Sequence, residues 1–197
     1  MRQKLIAVDI DDVLSSQVDA LIDFVAQHYD LELTVDNFKA PGDYWTYFEQ
    51  LPGLDPELSV KIFQSFLDTE KPFDQVISPE AIQTIRYLQE KDYGLEVITS
   101  RGLQWQVGTE AWLEKHLPNV FNNVHFVELW NKDNTKATKA MICQKIGAGY
   151  LIDDNAEHCN LADEAGVQAL LFGEWGWNMF QTVRPGVRRV LDWKAVR

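Results

Sequence analysis

The sequence predicts an α/β chain built on a doubly wound parallel sheet, with a small helical insertion after the first strand. Three observations carry this reading. Short apolar runs each end in polar, chemically capable residues: 5–10 closes on Asp9, Asp11 and Asp12, 95–98 leads into Thr99-Ser100, and 150–152 into Asp153-Asp154. The continuous first run suits a strand buried on both faces, and the two later segments look alike. Stretches with helical apolar spacing alternate with them, which is the βα alternation of a sheet covered by helices. Residues 17–75 break the alternation, because they hold helical patterns and no convincing strand.

In chain order, the first strand is 5–10. The insertion follows, with Val18, Leu21, Ile22 and Val25 on one helical pattern and Leu58, Ile62 and Phe66 on another. Between them lies a turn-rich, aromatic-rich stretch with Tyr44, Trp45, Tyr47 and Phe48. Ser78-Pro79-Glu80 reads as an N-cap with proline at the first helical position, opening a helix over 80–91 (Ala81, Ile82, Ile85, Leu88). A strand at 95–98, a helix over 104–116, a strand at 124–127 and a helix over 137–146 stopped by Gly147 come next. Strands at 150–152 and 169–172 complete the pattern. The last stretch, 184–197, sets Arg184, Arg188, Arg189, Lys194 and Arg197 against one acid, Asp192, and is expected to pack back onto an acidic body. The expected organisation is a Rossmann-like core over 1–16 and 76–197 with a helical cap over 17–75.

Composition narrows the function. The chain has 197 residues, 46% apolar and 12% aromatic with seven Trp, enough for a substantial core. Eighteen basic against 30 acidic residues give a formal charge of −12, which repels DNA, RNA and anionic membrane surfaces and leaves small ligands as the expected partners. Cys143 and Cys159 form neither a disulfide framework nor a zinc cluster, and both are expected as reduced thiols. Asp9 interrupts the N-terminal apolar run before it could act as a signal-peptide core, so the cytoplasm is the expected compartment.

The chemistry concentrates in the acids. Within an extended segment Asp9 and Asp11 face the same way and Asp12 the other. Two like-facing carboxylates need a cation or a shared proton. A hard divalent ion, Mg2+ first, meets that need, and Asp153 or Asp154 from a later parallel strand can complete its oxygen ligands. A lone acid at a strand end more often caps the next helix; the combination reverses those odds. In open α/β sheets ligands bind at the carboxyl ends of the strands. Lys136 and Lys139 are the cations able to reach the cluster, and Thr99 and Ser100 can offer hydroxyls to a phosphate.

Asp9-Ile10-Asp11-Asp12-Val13, Val97-Ile98-Thr99-Ser100-Arg101, Lys139 and Leu151-Ile152-Asp153-Asp154-Asn155 stand in the order of the four motifs of the haloacid dehalogenase-like phosphohydrolases. The match spans most of the chain. Within that superfamily the sequence resembles the small 5′(3′)-deoxyribonucleotidase branch and its bacterial relatives, through the helical cap, Trp112-Leu113-Glu114-Lys115-His116, Lys139 four residues before Cys143, and Trp177-Asn178. The resemblance implies a Mg2+-dependent phosphomonoesterase acting on a small phosphorylated metabolite, with a nucleoside monophosphate as the candidate. It implies that Asp9 is the nucleophile and Asp11 the acid and base. Thr99 then holds the phosphoryl oxygens and Lys139 neutralises charge. The metal is implied to sit on Asp9, the Asp11 backbone carbonyl and Asp153. Asp12, Ser100, Arg101 and Trp45 are the further phosphate or substrate contacts considered, with Asp154 supporting the metal and Lys136 the competitor for the lysine role.

Two departures bear on this. Asp12 stands where related phosphatases often have Gly, and Ser15-Ser16 where characterised deoxyribonucleotidases tend to carry Ala-Asp. The four histidines, His28, His116, His125 and His158, have no metal-ligand spacing and are assigned no chemistry. A phosphate ester other than a nucleotide, or a family member that binds a phosphorylated ligand without turnover, is the alternative. A signalling receiver domain also uses clustered acids, a hydroxyl and a lysine. There the acid pair precedes the hydroxyl and lysine, whereas here an acid pair returns after Lys139.

Overall fold

A computed structural model describes residues 4–38, 55–131 and 136–197. The chain divides into two compact units, one of Met1–Ser15, Val76–Gly173 and Val183–Arg197, the other of Ser16–Gln75 and Glu174–Thr182. The aromatic stretch with Trp45 lies outside the described residues. Six α-helices are described: α1 (Gln17–Tyr29), α2 (Pro56–Leu67), α3 (Pro79–Glu90), α4 (Gln106–His116), α5 (Lys139–Ile146) and α6 (Ala156–Glu164). None is long and apolar enough to cross a membrane.

The first unit holds a single described sheet of β1 (Leu5–Val8), β2 (Gly94–Thr99), β3 (Val124–Phe126), β4 (Ala148–Asp153), β5 (Gln168–Phe172) and β6 (Arg188–Val190). Its order is β3-β2-β1-β4-β5-β6 and every neighbouring pair is parallel. This is the doubly wound order with its switch point between β1 and β4. The fold class read from the sequence is therefore present. On one face of the sheet, Ile142 and Cys143 of α5 and Cys159 and Ala162 of α6 pack with Ala7, Ile98, Leu151, Ala169 and Leu171 in one buried cluster. Both thiols are free and buried, and burial pushes both up, Cys143 to about 12. Inside β2, the one acid, Glu96, has both oxygens engaged, by Asn123 at 3.0 Å and His125 at 2.6 Å.

Two elements were not legible in sequence. The β6 strand reads Arg188-Arg189-Val190, and its charges hide a sheet-edge segment paired with β5. The α6 helix carries no clear apolar stripe and is started by Asn155, whose side chain accepts from the amides of Glu157 at 2.9 Å and His158 at 3.2 Å. The C-terminal segment does return to the body. Trp193 donates from its indole to the Val13 carbonyl at 3.0 Å, its own carbonyl accepts from Thr84 Oγ1 at 3.0 Å, and Arg197 reaches the same hydroxyl at 3.1 Å.

The second unit has its own core, in which Val18, Leu21, Phe24 and Val25 of α1 meet Ile62 and Phe66 of α2, with Phe38 and Trp177. Asp55 caps α2 by accepting from the Glu57 amide at 2.8 Å, and Pro56 occupies the first turn. Leu58 turns to solvent, although its spacing placed it on the apolar stripe. Glu174–Thr182 belongs to this unit, where sequence reading leaves it with the sheet.

Candidate active site

The acids stand where the sheet places them. The Val8↔Ile152 register sets Asp9 beside Asp153 across two adjacent parallel strands, and the Asp9 amide donates to the Ile152 carbonyl at 3.0 Å. Thr99 ends β2 on the other side of β1. Lys139 opens α5, a helix capped by Thr138, whose hydroxyl accepts from the Met141 amide at 3.2 Å. From there the Lys139 ammonium reaches Asp9 Oδ2 at 2.6 Å and Asp153 Oδ2 at 2.8 Å, with the lysine side chain 2% exposed. Of the two competing lysines, Lys136 is exposed and Lys139 is buried among the acids.

Asp9, Asp153 and Asp154 are all buried, and each can place a ligand atom within 4.8 Å of the other two. Three buried carboxylates face one ammonium, and the electrostatics follow from that imbalance. Burial pushes the Asp9 carboxyl up to about 6, against the pull of Lys139 and with the charges of Asp153 and Asp11 adding to the rise. Burial and then the neighbouring Asp153, Asp9 and Asp12 charges hold Asp154 well above the usual carboxylate range. For Asp153 burial acts the same way, but Lys139 and His158 outweigh it and hold the carboxyl below that range. Burial alone would lower Lys139; Asp153 and Asp9 reverse this and keep it a cation. An all-oxygen donor set with excess negative charge is what a hard divalent cation requires.

Asp153 is engaged on both oxygens. Oδ2 accepts from Lys139, while Oδ1 meets the Asn155 amide at 2.9 Å and His158 Nδ1 at 3.2 Å. His158 is thus part of the site although sequence reading assigned it no chemistry. The missed signal was its place on the first turn of a helix capped by Asn155, which turns it back toward the preceding strand end.

The strand alternation used to pair Asp11 with Asp9 does not extend to Asp11. The β1 strand ends at Val8, and the chain then turns so that the Ile10 carbonyl accepts from the amides of Val13 at 3.3 Å, Leu14 at 2.8 Å and Ser15 at 3.0 Å. Alternation holds only while the backbone is extended, so it does not fix where the Asp11 side chain lies. The Asp11 carboxylate instead receives Arg101: Nη2 to Oδ1 at 2.6 Å, Nε to Oδ2 at 3.0 Å and Nε to Oδ1 at 3.2 Å. Asp12 is buried with φ of 58°, a left-handed conformation that Asp tolerates better than most residues and that explains why Gly suits this position. Thr99 is buried and its hydroxyl accepts from the Arg101 amide at 3.1 Å; Ser100 is exposed.

No protein-family model matches the chain, and no curated protein matches it in sequence. Solved structures do match in fold. A predicted phosphoglycolate phosphatase from Haemophilus somnus superposes with a TM-score of 0.65 at 14% identity, over 100% of this chain and 97% of its own. A HAD-superfamily hydrolase of subfamily IA from Geobacter sulfurreducens gives 0.60 at 16% identity, covering 98% and 94%. A hydrolase of the haloacid dehalogenase-like family from Streptococcus pneumoniae gives 0.58 at 13% identity, covering 95% and 93%. The chain has the haloacid dehalogenase-like fold, in agreement with the motif resemblance.

Proposed function

We propose that this protein is a phosphomonoesterase of the haloacid dehalogenase type, acting through an aspartyl-phosphate. One observation carries the reading: Lys139 bridges Asp9 and Asp153 beside Asp154 at the carboxyl ends of β1 and β4, the switch point of the sheet. There a phosphate ester meets a carboxylate already paired with a cation.

In the first step an oxygen of Asp9 attacks phosphorus in line, the ester P–O bond breaks, and protonated Asp11 gives its proton to the departing alkoxide. In the second step water attacks the phosphorus, the Asp9–phosphorus bond breaks, and Asp11 recovers a proton from that water. Thr99 and the Lys139 ammonium hold the phosphoryl oxygens and offset charge on the nucleophile. A divalent cation, Mg2+ in this proposal, would neutralise the phosphate and the acids when bound. Asp9, the Asp11 carbonyl and the Asp153-Asp154 pair are assigned to it. Each member of that pair can place an oxygen within 4.8 Å of one from Asp9.

The substrate class is a small phosphate ester, consistent with a fold shared with a predicted phosphoglycolate phosphatase. A nucleoside monophosphate is the finer proposal and rests on the sequence motifs. The test is phosphate release from a panel of nucleoside monophosphates, phosphoglycolate and sugar phosphates, with Mg2+ or EDTA, by wild type and Asp9→Asn. Metal-dependent release lost in Asp9→Asn supports the reading; a folded, metal-supplied wild type that releases nothing refutes it.

A further inference from the structure

We propose that Arg101 is a positioning residue for Asp11, held in a clamp built by β2 and α4, rather than a ligand for the substrate phosphate. The proposal rests on the function above, which gives Asp11 the proton transfers. Arg101 follows directly on Thr99-Ser100, and from sequence its position suggests an anion contact. Its geometry points elsewhere.

The guanidinium sets Nε and Nη2 against both oxygens of Asp11, at 3.0 and 2.6 Å, the fork geometry that matches a carboxylate. Nη1 turns to Thr109 Oγ1 on α4 at 3.3 Å. The guanidinium carbon lies 5.7 Å from the Trp105 ring and 5.8 Å from the Trp112 ring, within cation–π range of both. The arginine side chain is 1% exposed and the Asp11 side chain 17%. So the cation is enclosed and its partner is partly exposed. A phosphate could take Arg101 only by displacing Asp11 from three hydrogen bonds.

The clamp answers a need the backbone leaves open. Asp11 lies past the end of β1 in a turn with left-handed Asp12, where extended pairing no longer dictates where a side chain goes. Lys139 serves Asp9 and Asp153, so a second cation is required to fix Asp11. The fork fixes the ionised Asp11 that takes the proton in the second step, and leaves Asp11 an oxygen lone pair to carry the proton given up in the first; a proton-transfer group that is loosely placed loses rate far more than affinity. Thr109, Trp105 and Trp112 are the brace. Lysine cannot replace the fork, because it presents a single point charge.

The test compares Arg101→Met, Arg101→Lys, Asp11→Asn and the Asp11→Asn/Arg101→Met double variant. Arg101→Met is expected to lower kcat by on the order of 100-fold. KM and the affinity for inorganic phosphate, measured by calorimetry, should stay within about threefold, since only interactions made in the transition state are lost. Arg101→Lys should fall between, and the double variant should be no slower than Asp11→Asn alone. Thr109→Val, which trims the brace and spares the pair, should reduce kcat slightly at unchanged KM. A tenfold or greater loss of phosphate affinity in Arg101→Met, or kinetic effects of the two substitutions that multiply, would overturn the proposal. Thermal unfolding of wild type, Arg101→Met, Asp11→Asn and the double variant reads the pair without turnover: non-additive Tm shifts are expected, and additive ones also overturn it. If wild type releases no phosphate while the Tm shifts are coupled, the phosphatase reading fails and only the ion pair survives.

Discussion

At the scale of single residues, the site is an imbalance of charge. Lys139 is the only described cation bonded to Asp9, and it also serves Asp153. Lys139→Met would leave both carboxylates buried without it, and a loss of about 3–5 kcal/mol in chemical denaturation is expected, together with loss of turnover. The same imbalance sets a pH dependence. Asp9 is raised from 3.8 to about 6 in the folded chain, so metal-free protein binds a proton there more readily than the unfolded chain does. Its contribution to stability is therefore full below the lower value and lost as pH rises through the upper one. A divalent cation competes for the same carboxylate, so Mg2+ affinity should tighten as pH rises through 6, with proton release on binding. Calorimetry in buffers of different ionisation enthalpy checks this; a flat affinity between pH 5 and 7.5 would contradict it.

At the scale of elements, strand ends and helix starts bring the groups together. Asn155 caps α6 with two amide hydrogen bonds and so aims His158 at Asp153. Asn155→Ala should cost about 1 kcal/mol and lower turnover by loosening Asp153, while Asn155→Asp should retain most of both. The C-terminal segment is a second such device. Trp193 is buried, bonds the Val13 carbonyl just past the Asp9–Asp12 turn, and lies 5.3 Å from the Phe172 ring. Trp193→Ala should cost about 3–5 kcal/mol, and Trp193→Phe about 1 kcal/mol for the lost hydrogen bond, both read as shifts in the urea midpoint.

Across the whole molecule, the sheet is legible where strands are buried on both faces, because such strands read as apolar runs, interrupted in β2 by Glu96. It was not legible at β6, where an edge strand carries two arginines, nor at α6, whose helix depends on the Asn155 cap more than on an apolar stripe. For the site, Asp9 and the Asp153-Asp154 pair follow from their strand ends, and Lys139 and Lys136 stand as alternatives in sequence; the turn after β1 and the meeting of Asp11 with Arg101 are not written in any local pattern. His158 was missed since its role exists only through a helix that the sequence concealed. The account as a whole stands on Asp9 as a covalent phosphoryl acceptor. The most direct measurement is acid quenching during turnover of the best ester, borohydride reduction, and mass spectrometry of the peptide containing residue 9. The account predicts homoserine at position 9 in ester-exposed enzyme and in no unexposed control; steady turnover with Asp9 unmodified, or the label on Asp11, would contradict it.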